Sequence, residues 1–411
     1  MATPGSVLVV GSCNTDYILT GVPHLPRPGE TVLADAPAAA FRTAQGGKSA
    51  NAAVAAARAF LGHALGSVSL IACLGDDAQG AASLEAYEDE GIYVGLCKRT
   101  RRASSGVAVI LVGADGENTI VVLPGANREL RPRDLGAETA TDTAPGQEEE
   151  EEEDAVDGES RLQEIRSASV VLLQLEIRLD TVQFVAETVR QQWLSQRAPL
   201  LLLNMAPMPS APAPDGIDSV RALLRCVNLL VLNEVECEQL CAMLLRADAA
   251  HATQVLAAAT QRDEWRAVCE ALMAQAPLAV AIVVTLGAHG AACLFRPAPP
   301  PTSEATPPEN SAPPVWMVQS VRLPESLESV VDTTGAGDCF CGVLAAALAE
   351  ALAPAHEGDT APALTAEVFR DAMRLACCAA TLSVTRSGAQ PSFPKRDDIR
   401  HRQSRVAPRE R

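Results

Sequence analysis

At 411 residues, with 48% hydrophobic and only 3% aromatic residues, the chain is long enough for one large α/β domain or two smaller ones, and its core must be built from Ala, Leu and Val. The net charge of -18 does not mark a basic partner, because residues 134–159 hold twelve acids and no Lys or Arg and the acidity is therefore local. No apolar run reaches the roughly 18 residues a membrane helix needs, Met1 to Ser6 lacks the charged start of a secretory signal, and none of the twelve cysteines forms a C-x-x-C pair with metal spacing. These features predict a cytoplasmic protein with reduced, buried thiols and no membrane span.

Taken along the chain, short aliphatic runs alternate with Ala-rich helical stretches, the pattern of parallel strands joined by crossover helices. Val7–Val10 runs into Gly11-Ser12-Cys13-Asn14-Thr15-Asp16, and the Pro- and Gly-containing stretch from Tyr17 to about Thr43 is expected to supply strands of a small separate sheet. Gln45-Gly46-Gly47-Lys48-Ser49-Ala50-Asn51 opens a helix expected over Ala50–Phe60, so rich in Ala that it must pack closely against a neighbour. Lys48 stands at that helix start, where the macrodipole disfavours a cation, so its charge points to use. Lys48 and Asn51 project to a common side and offer ammonium and amide donors to a hydroxylated ligand; the alternative is a Gly-Gly turn with a solvated lysine.

Ser69–Ala72, Ser169–Gln174, Leu200–Leu203, Leu229–Leu232 and Ala279–Thr285 join Val7–Val10 as central strands, their continuous apolar character suiting a sheet covered on both faces. Gly106–Gly113 and Asn118–Leu123, separated by Ala114-Asp115-Gly116-Glu117, read as a hairpin of the small sheet, which gives lid segments of about 14–43 and 105–124. Glu148 to Asp154 is an unbroken acidic run within an insert of about 136–160, and residues 297–314 hold eight prolines, so both are expected to be solvated loops. The basic stretch 395–411 has no hydrophobic pattern and is expected to be a frayed end rather than a nucleic-acid arm.

Polar groups collect just past the carboxyl ends of the central strands: Asn14 and Asp16, Glu176, Asn233 with Glu236, and Gly287. In open α/β sheets ligands bind at that edge, so these scattered residues are expected to converge; for each singly, a loop residue or helix cap is the competing explanation. Val331-Asp332-Thr333-Thr334-Gly335-Ala336-Gly337-Asp338-Cys339-Phe340 is the most informative segment. Gly335 and Gly337 bring bare backbone N–H groups to an anion, the following helix (Phe340–Leu352) adds its dipole, and Asp338 lies beside those donors, placed to take a proton from an attacking hydroxyl. Its alternative is a Gly-containing turn with Asp338 capping a helix.

GSCNTD, PRPGET at Pro26–Thr31, QGGKSAN, NEVE, TLGAHG and DTTGAGDCF occur in the order and approximate spacing of the PfkB carbohydrate kinase family, which the chain resembles from residue 7 to about 394 apart from the two inserts and the stretch Arg246–Arg262. Within that family the G-G-K-x-A-N form, the early N-x-D and Thr385-Arg386-Ser387-Gly388-Ala389-Gln390-Pro391-Ser392 look most like its ribokinase branch. The resemblance implies a single doubly wound α/β domain with a mostly parallel central sheet flanked by helices, a small β-sheet lid that forms a homodimer contact, and ATP-dependent phosphorylation of D-ribose at its 5-hydroxyl.

By matched position it implies that Asn14, Asp16, Gly47, Lys48, Ser49, Ala50, Asn51 and Glu176 surround the sugar. Asp338 would be the base, and Gly335, Ala336 and Gly337 the anion hole. Asn233 and Glu236 would organise Mg²⁺ near the ATP phosphates, while Thr285, Leu286, Gly287, Ala288, His289 and Gly290 pass along the nucleotide. Asp332, Thr334, Ser383, Arg386, Gly388 and Ser392 would form a monovalent-cation loop for K⁺, mostly through backbone oxygens. Ser49 stands where ribokinases commonly carry Gly and is expected to add a hydroxymethyl group beside the sugar contacts; Cys377 replaces a polar residue at the nucleotide edge. The competing assignments are a kinase for deoxyribose, fructose or a nucleoside such as adenosine, and a non-catalytic sugar-binding regulator.

Overall fold

The computed structural model describes residues 5–34, 40–60, 66–113, 118–137, 157–193, 199–209, 214–244, 265–296, 313–321, 330–354 and 362–405. Most of the acidic insert, the Pro-rich stretch up to residue 312, the 246–262 stretch and the last six residues lie outside them.

The first strand, Ser6–Val10, shows why the central runs carry no polar alternation: Val7 and Val9 pack into a core on one face of the sheet, Leu8 and Val10 into a core on the other. Among the described residues the main sheet has nine strands in the order Val315–Gln319, Ala291–Phe295, Ala281–Thr285, Leu229–Asn233, Leu200–Asn204, Val170–Leu173, Ser6–Val10, Ser67–Ile71 and Ile92–Tyr93. All six expected central strands are present and pair in parallel. The two antiparallel strands, Ala291–Phe295 and the edge strand Val315–Gln319, went unread because AACLF has no β-branched residue and VWMVQ follows the prolines. From Ser6–Val10 the chain winds to Ser67–Ile71 on one side and to Val170–Leu173 on the other, so the sheet reverses direction at Ser6–Val10 and Val170–Leu173.

A second sheet of four strands, ordered Ala40–Gly46, Asn14–Val22, Gly106–Gly113, Asn118–Leu123, grows directly from the carboxyl end of the first strand. The expected hairpin pairs Val107 with Leu123 through Val112 with Asn118. Antiparallel pairing of Asn14 with Gly46 brings the N-x-D and G-G-K segments together, although more than thirty residues separate them along the chain.

Both site helices begin earlier than expected, at Lys48 rather than Ala50 and at Ala336 rather than Phe340. Gly335 takes the left-handed conformation (φ 75°) and caps the second helix, so Asp338 sits inside its first turn. The helices Lys48–Phe60 and Ala336–Ala351 touch along backbone: a Cβ built on Gly342 would lie 2.2 Å from the Ala52 carbonyl oxygen. That approach, one turn beyond Asp338, is what the run of alanines serves.

The C-terminal stretch is not frayed where it is described, which corrects the expectation from its lack of hydrophobic pattern. Arg396–Arg405 is a helix docked by charge: Arg396, 8% exposed, donates to the Ala59 carbonyl (2.9 Å) and to both oxygens of Glu350 (2.6 and 2.7 Å). All twelve cysteines are free and all but Cys97 are buried. No described helix is long and apolar enough to cross a membrane.

Candidate active site

The carboxyl ends of Ser6–Val10 and Val170–Leu173, where the sheet changes direction, open the crevice in which the expected residues meet. Glu176 stitches it: one carboxylate oxygen accepts from the Ser12 hydroxyl (2.6 Å) and from the Lys48 backbone N–H (3.0 Å). Ala50 N–H donates to the Ser12 carbonyl (3.1 Å). The positive end of the Lys48 helix is thus consumed inside the protein, with Glu176 as its capping anion. Gly47 (φ 89°) is required at this junction, because a Cβ there would fall 2.8 Å from the Ser12 carbonyl.

Asn14 and Asp16 lie on the same side of their strand, two residues apart. Asn14 is held by Asn127, which also donates to the Cys13 carbonyl (3.1 Å) and accepts from Cys13 N–H (2.9 Å). Asn127, in the short 3-10 helix Gly125–Glu129, holds Asn14 in place and was missed by sequence inspection, because a lone polar residue in so short an element gives no pattern to find. The Asp16 carboxylate occupies the place a side chain would take on Gly46, with both oxygens within 2.3 Å of a Cβ built there. Burial, then the charges of Glu176 and Asp338, push the Asp16 carboxyl up to about 7.

Asp338, 5% exposed, accepts from the Asn51 amide (2.9 Å), whose own oxygen accepts from Gln390 (3.0 Å). Burial pushes its carboxyl up, opposed by Lys48 and by the Asn51 bond. Lys48 stays charged at its unfavourable helix position because Asp338 first, then Glu176 and Glu236, hold its ammonium above the ordinary range despite burial. The Ala336 helix presents its first turn to the same crevice. Ala336 N–H donates to the Thr333 carbonyl (3.2 Å), and the next amides, of Gly337 and Asp338, belong to the turn a helix cannot satisfy from within. Nothing lies within 4 Å of a Cβ built on Gly337, which faces open space.

Asn233 and Glu236 form a reciprocal cap: Asn233 Oδ1 accepts from Glu236 N–H (2.8 Å) and Glu236 Oε2 from Asn233 N–H (2.9 Å). The helix-cap explanation is therefore realised, and burial still pushes the Glu236 carboxyl up against the pull of the Asn233 amide and Lys48. Past Thr285, Leu286 is buried while Gly287, Ala288 and His289 are exposed in a single turn closed by Leu286 N–H to the Gly290 carbonyl (2.8 Å). Gly290 (φ 91°) backs onto the Gln319 carbonyl, 2.0 Å from a Cβ built there, and the same carbonyl faces the Cys377 thiol at 3.9 Å. Cys377 is buried, which pushes its thiol well up and leaves it neutral.

Asp332 ties the remaining loop together, accepting from Thr334 N–H (2.9 Å) and Gly388 N–H (2.8 Å). Partial burial pushes its carboxyl up, but these bonds and the nearby Arg42 outweigh it and hold the group below the ordinary carboxylate value. Ser383 is buried with its hydroxyl on the Ala380 carbonyl (2.9 Å), Arg386 N–H donates to the Ser383 carbonyl (3.3 Å), and the Ser392 hydroxyl donates to the Ala389 carbonyl (2.7 Å). Arg42, on the small sheet, reaches Ser387 of this loop (3.0 Å).

Ser49 departs from expectation. Its hydroxyl donates to Gln174 (2.5 Å), fully buried over Gly11, because it lies about 100° round the helix from Lys48 and so faces the sheet. It adds nothing beside Lys48 and Asn51. Ala50 is likewise fully buried.

Asp16 carries a pH signature. Its folded pKa of about 7 stands above the ordinary 3.8, so its contribution to stability is fully present below about 4 and is lost as pH rises through about 7. A hydroxyl donor binding to the ionised form reverses that preference. Affinity for any ligand hydroxyl that donates to Asp16 is expected to rise as pH increases from about 6 to about 8 with release of a proton, and Asp16→Asn should abolish the release. Calorimetric titration in two buffers of different ionisation heat measures both.

A mostly parallel sheet flanked by helices, with a separate small sheet at its carboxyl edge, is the architecture of the ribokinase fold: the Arabidopsis thaliana ribokinase solved with ribose and ATP superimposes with a TM-score of 0.68 at 24% identity, covering 99% of this chain and 100% of that one. The chain belongs to the pfkB family of carbohydrate kinases, whose model matches residues 5–396. Its curated relatives include the ribokinase of Haemophilus influenzae, 28% identical over 394 residues (96% of each chain), and the deoxyribokinase of Salmonella typhi, 28% identical over 391 residues (94% of this chain, 95% of the relative).

Proposed function

We propose that this carbohydrate kinase transfers the γ-phosphoryl group of ATP to the 5-hydroxyl of D-ribose. The observation that carries the proposal is Asp338: a buried carboxylate in the first turn of a helix, bonded by Asn51 and within electrostatic reach of Lys48, Glu176 and Asp16.

Asp16 accepts from sugar hydroxyls and Asn14 supplies polar contacts beside it. Asp338 takes the proton of the attacking hydroxyl as the O–P bond forms and the bond to the ADP oxygen breaks, while the Gly337 and Asp338 amides face the charge on the moving phosphoryl group. Raised by burial, Asp338 is a better proton acceptor near neutral pH than a solvated aspartate. Asn51, bonded at both ends, orients the base more than it grips the sugar. Magnesium would arrive on the nucleotide, where one or two carboxylates suffice; Glu236 beside Asn233 is the fitting donor, and the ion would neutralise phosphate charge. Backbone carbonyls of the Asp332 loop would hold a potassium ion, and Ala389, against which Gly335 packs, would carry its effect to the Gly335 turn.

A homodimer through the small sheet suits its surface: Ile120, Val121, Val122 and Leu123 are 50%, 57%, 46% and 59% exposed along an edge strand, an apolar stretch that a second copy would cover. We place the enzyme in the cytoplasm, where its free thiols would stay reduced.

A coupled assay of ADP release over ribose, 2-deoxyribose, fructose and adenosine tests the assignment. Ribose should give the highest kcat/KM, and exchanging potassium for a large organic cation should lower the rate. Preference for deoxyribose, toward which the Salmonella relative points, or for adenosine would replace ribose as the substrate. Absence of turnover with all four would leave the sugar-binding regulator.

A further inference from the structure

We propose that Gln390 is a positioning residue for the base: it holds the Asn51 carboxamide with its NH₂ toward Asp338, so that Asp338 meets Asn51 only as an acceptor. The inference rests on Asp338 taking the substrate proton. Gln390 Nε2 donates to Asn51 Oδ1 (3.0 Å) and Asn51 Nδ2 donates to Asp338 Oδ2 (2.9 Å), and the three side chains are 8%, 6% and 5% exposed. A carboxamide has one acceptor end and one donor end. Donation into the acceptor end leaves the donor end for the carboxylate.

Gln390 is itself fixed from the same helix that carries Asn51. Arg58 Nη1 donates to the Gln390 carbonyl (2.6 Å) and the Phe393 carbonyl (2.9 Å), while its Nε is held by Glu90 (2.9 Å). Arg58 therefore holds the Gln390 backbone, and the side chains of Gln390, Asn51 and Asp338 form a line that joins the Lys48–Phe60 helix to residues 287 and 339 positions from Asn51.

Asp338 is faced by Lys48 from the Asn51 helix, by Glu176 beyond the strand Val170–Leu173, by Asp16 from the small sheet and by Glu236 from the helix after Asn233. Cys339 and Cys341, on its own helix, are neutral thiols. These charges keep their signs whatever Gln390 does. The Asn51 bond does not: turned over, the amide would set oxygen against oxygen and demand a proton on Asp338.

Gln390→Glu places an acceptor of the same shape where the donor stands, and Gln390→Met removes the donor without adding charge. The acidic limb of the kcat–pH profile should move up by about 1–2 units in Gln390→Glu and by less in Gln390→Met, with ATP affinity unchanged. In an Asn51→Ala background the Gln390→Glu shift should vanish. Profiles that superimpose on the native one, with only the overall rate reduced, would show Gln390 to be structural and overturn the proposal; a shift that persists without Asn51 would overturn it too. If Gln390→Glu does not fold, Gln390→Met decides alone by the same criterion. Asp338→Asn measured alongside separates the two levels, since near-native turnover there removes the base itself, whatever Gln390 does.

Discussion

Asp338→Asn should lower kcat by about 10²- to 10⁴-fold, the usual contribution of a positioned base, while ATP binds within a few-fold of the native affinity. The side chain keeps its shape and its oxygen can still accept from Asn51, so the loss is confined to proton acceptance. Stability supplies an independent check. A carboxylate buried to 5% exposure costs free energy in the folded state, as its upward-pushed pKa records, so the variant should unfold at a temperature no lower than the native protein. Lys48 retains Glu176 and Glu236 as partners and limits any opposing effect. Turnover near the native rate in steady-state assays would require another base, and no other carboxylate in the crevice sits in the first turn of the Ala336 helix.

Gly337→Ala should lower kcat by about 10²-fold with sugar affinity unchanged. Nothing in the protein demands glycine at this position: it is exposed, its φ is not positive, and a Cβ there meets nothing within 4 Å. In a helix an exposed Gly→Ala change ordinarily stabilises, here by up to about 1 kcal/mol. A stabilised but slow enzyme would mean that the empty volume above Gly337 is needed by the phosphoryl group. Gly335 offers no such test, because it is left-handed and already pressed on Ala389, so its replacement would disturb the fold as well. A full-speed Gly337→Ala enzyme would move the phosphate cradle elsewhere.

The six central strands were legible because burial on both faces forces a continuous aliphatic run, and the hairpin was legible from its turn. The edge strand Val315–Gln319 was not, since a strand paired on one side and partly solvated has no such obligation; nor was its buried neighbour Ala291–Phe295, which lacks β-branched residues, nor the helix Arg396–Arg405, which docks through Arg396 onto Glu350 rather than through an apolar stripe. Among site residues, the G-x-G-D and G-G-K segments were conspicuous because glycine and misplaced charge are local signals. Asn127 and Gln390 were silent, because their roles are bonds to residues 113 and 339 positions away.

The sequence by itself determined the layered α/β class, the six parallel strands at the centre of the sheet and the two Gly-rich turns that deliver Lys48 and Asp338, all of which follow from short-range patterns of burial and backbone freedom. Tertiary structure alone decided that Asn51 donates to Asp338, that Ser49 turns into the core, and that burial beside Glu176 and Asp338 pushes the Asp16 carboxyl up to about 7. Each of these depends on which atoms face one another across two elements, and on how much water is excluded between them, quantities that exist only once the helices and the two sheets have closed on the crevice.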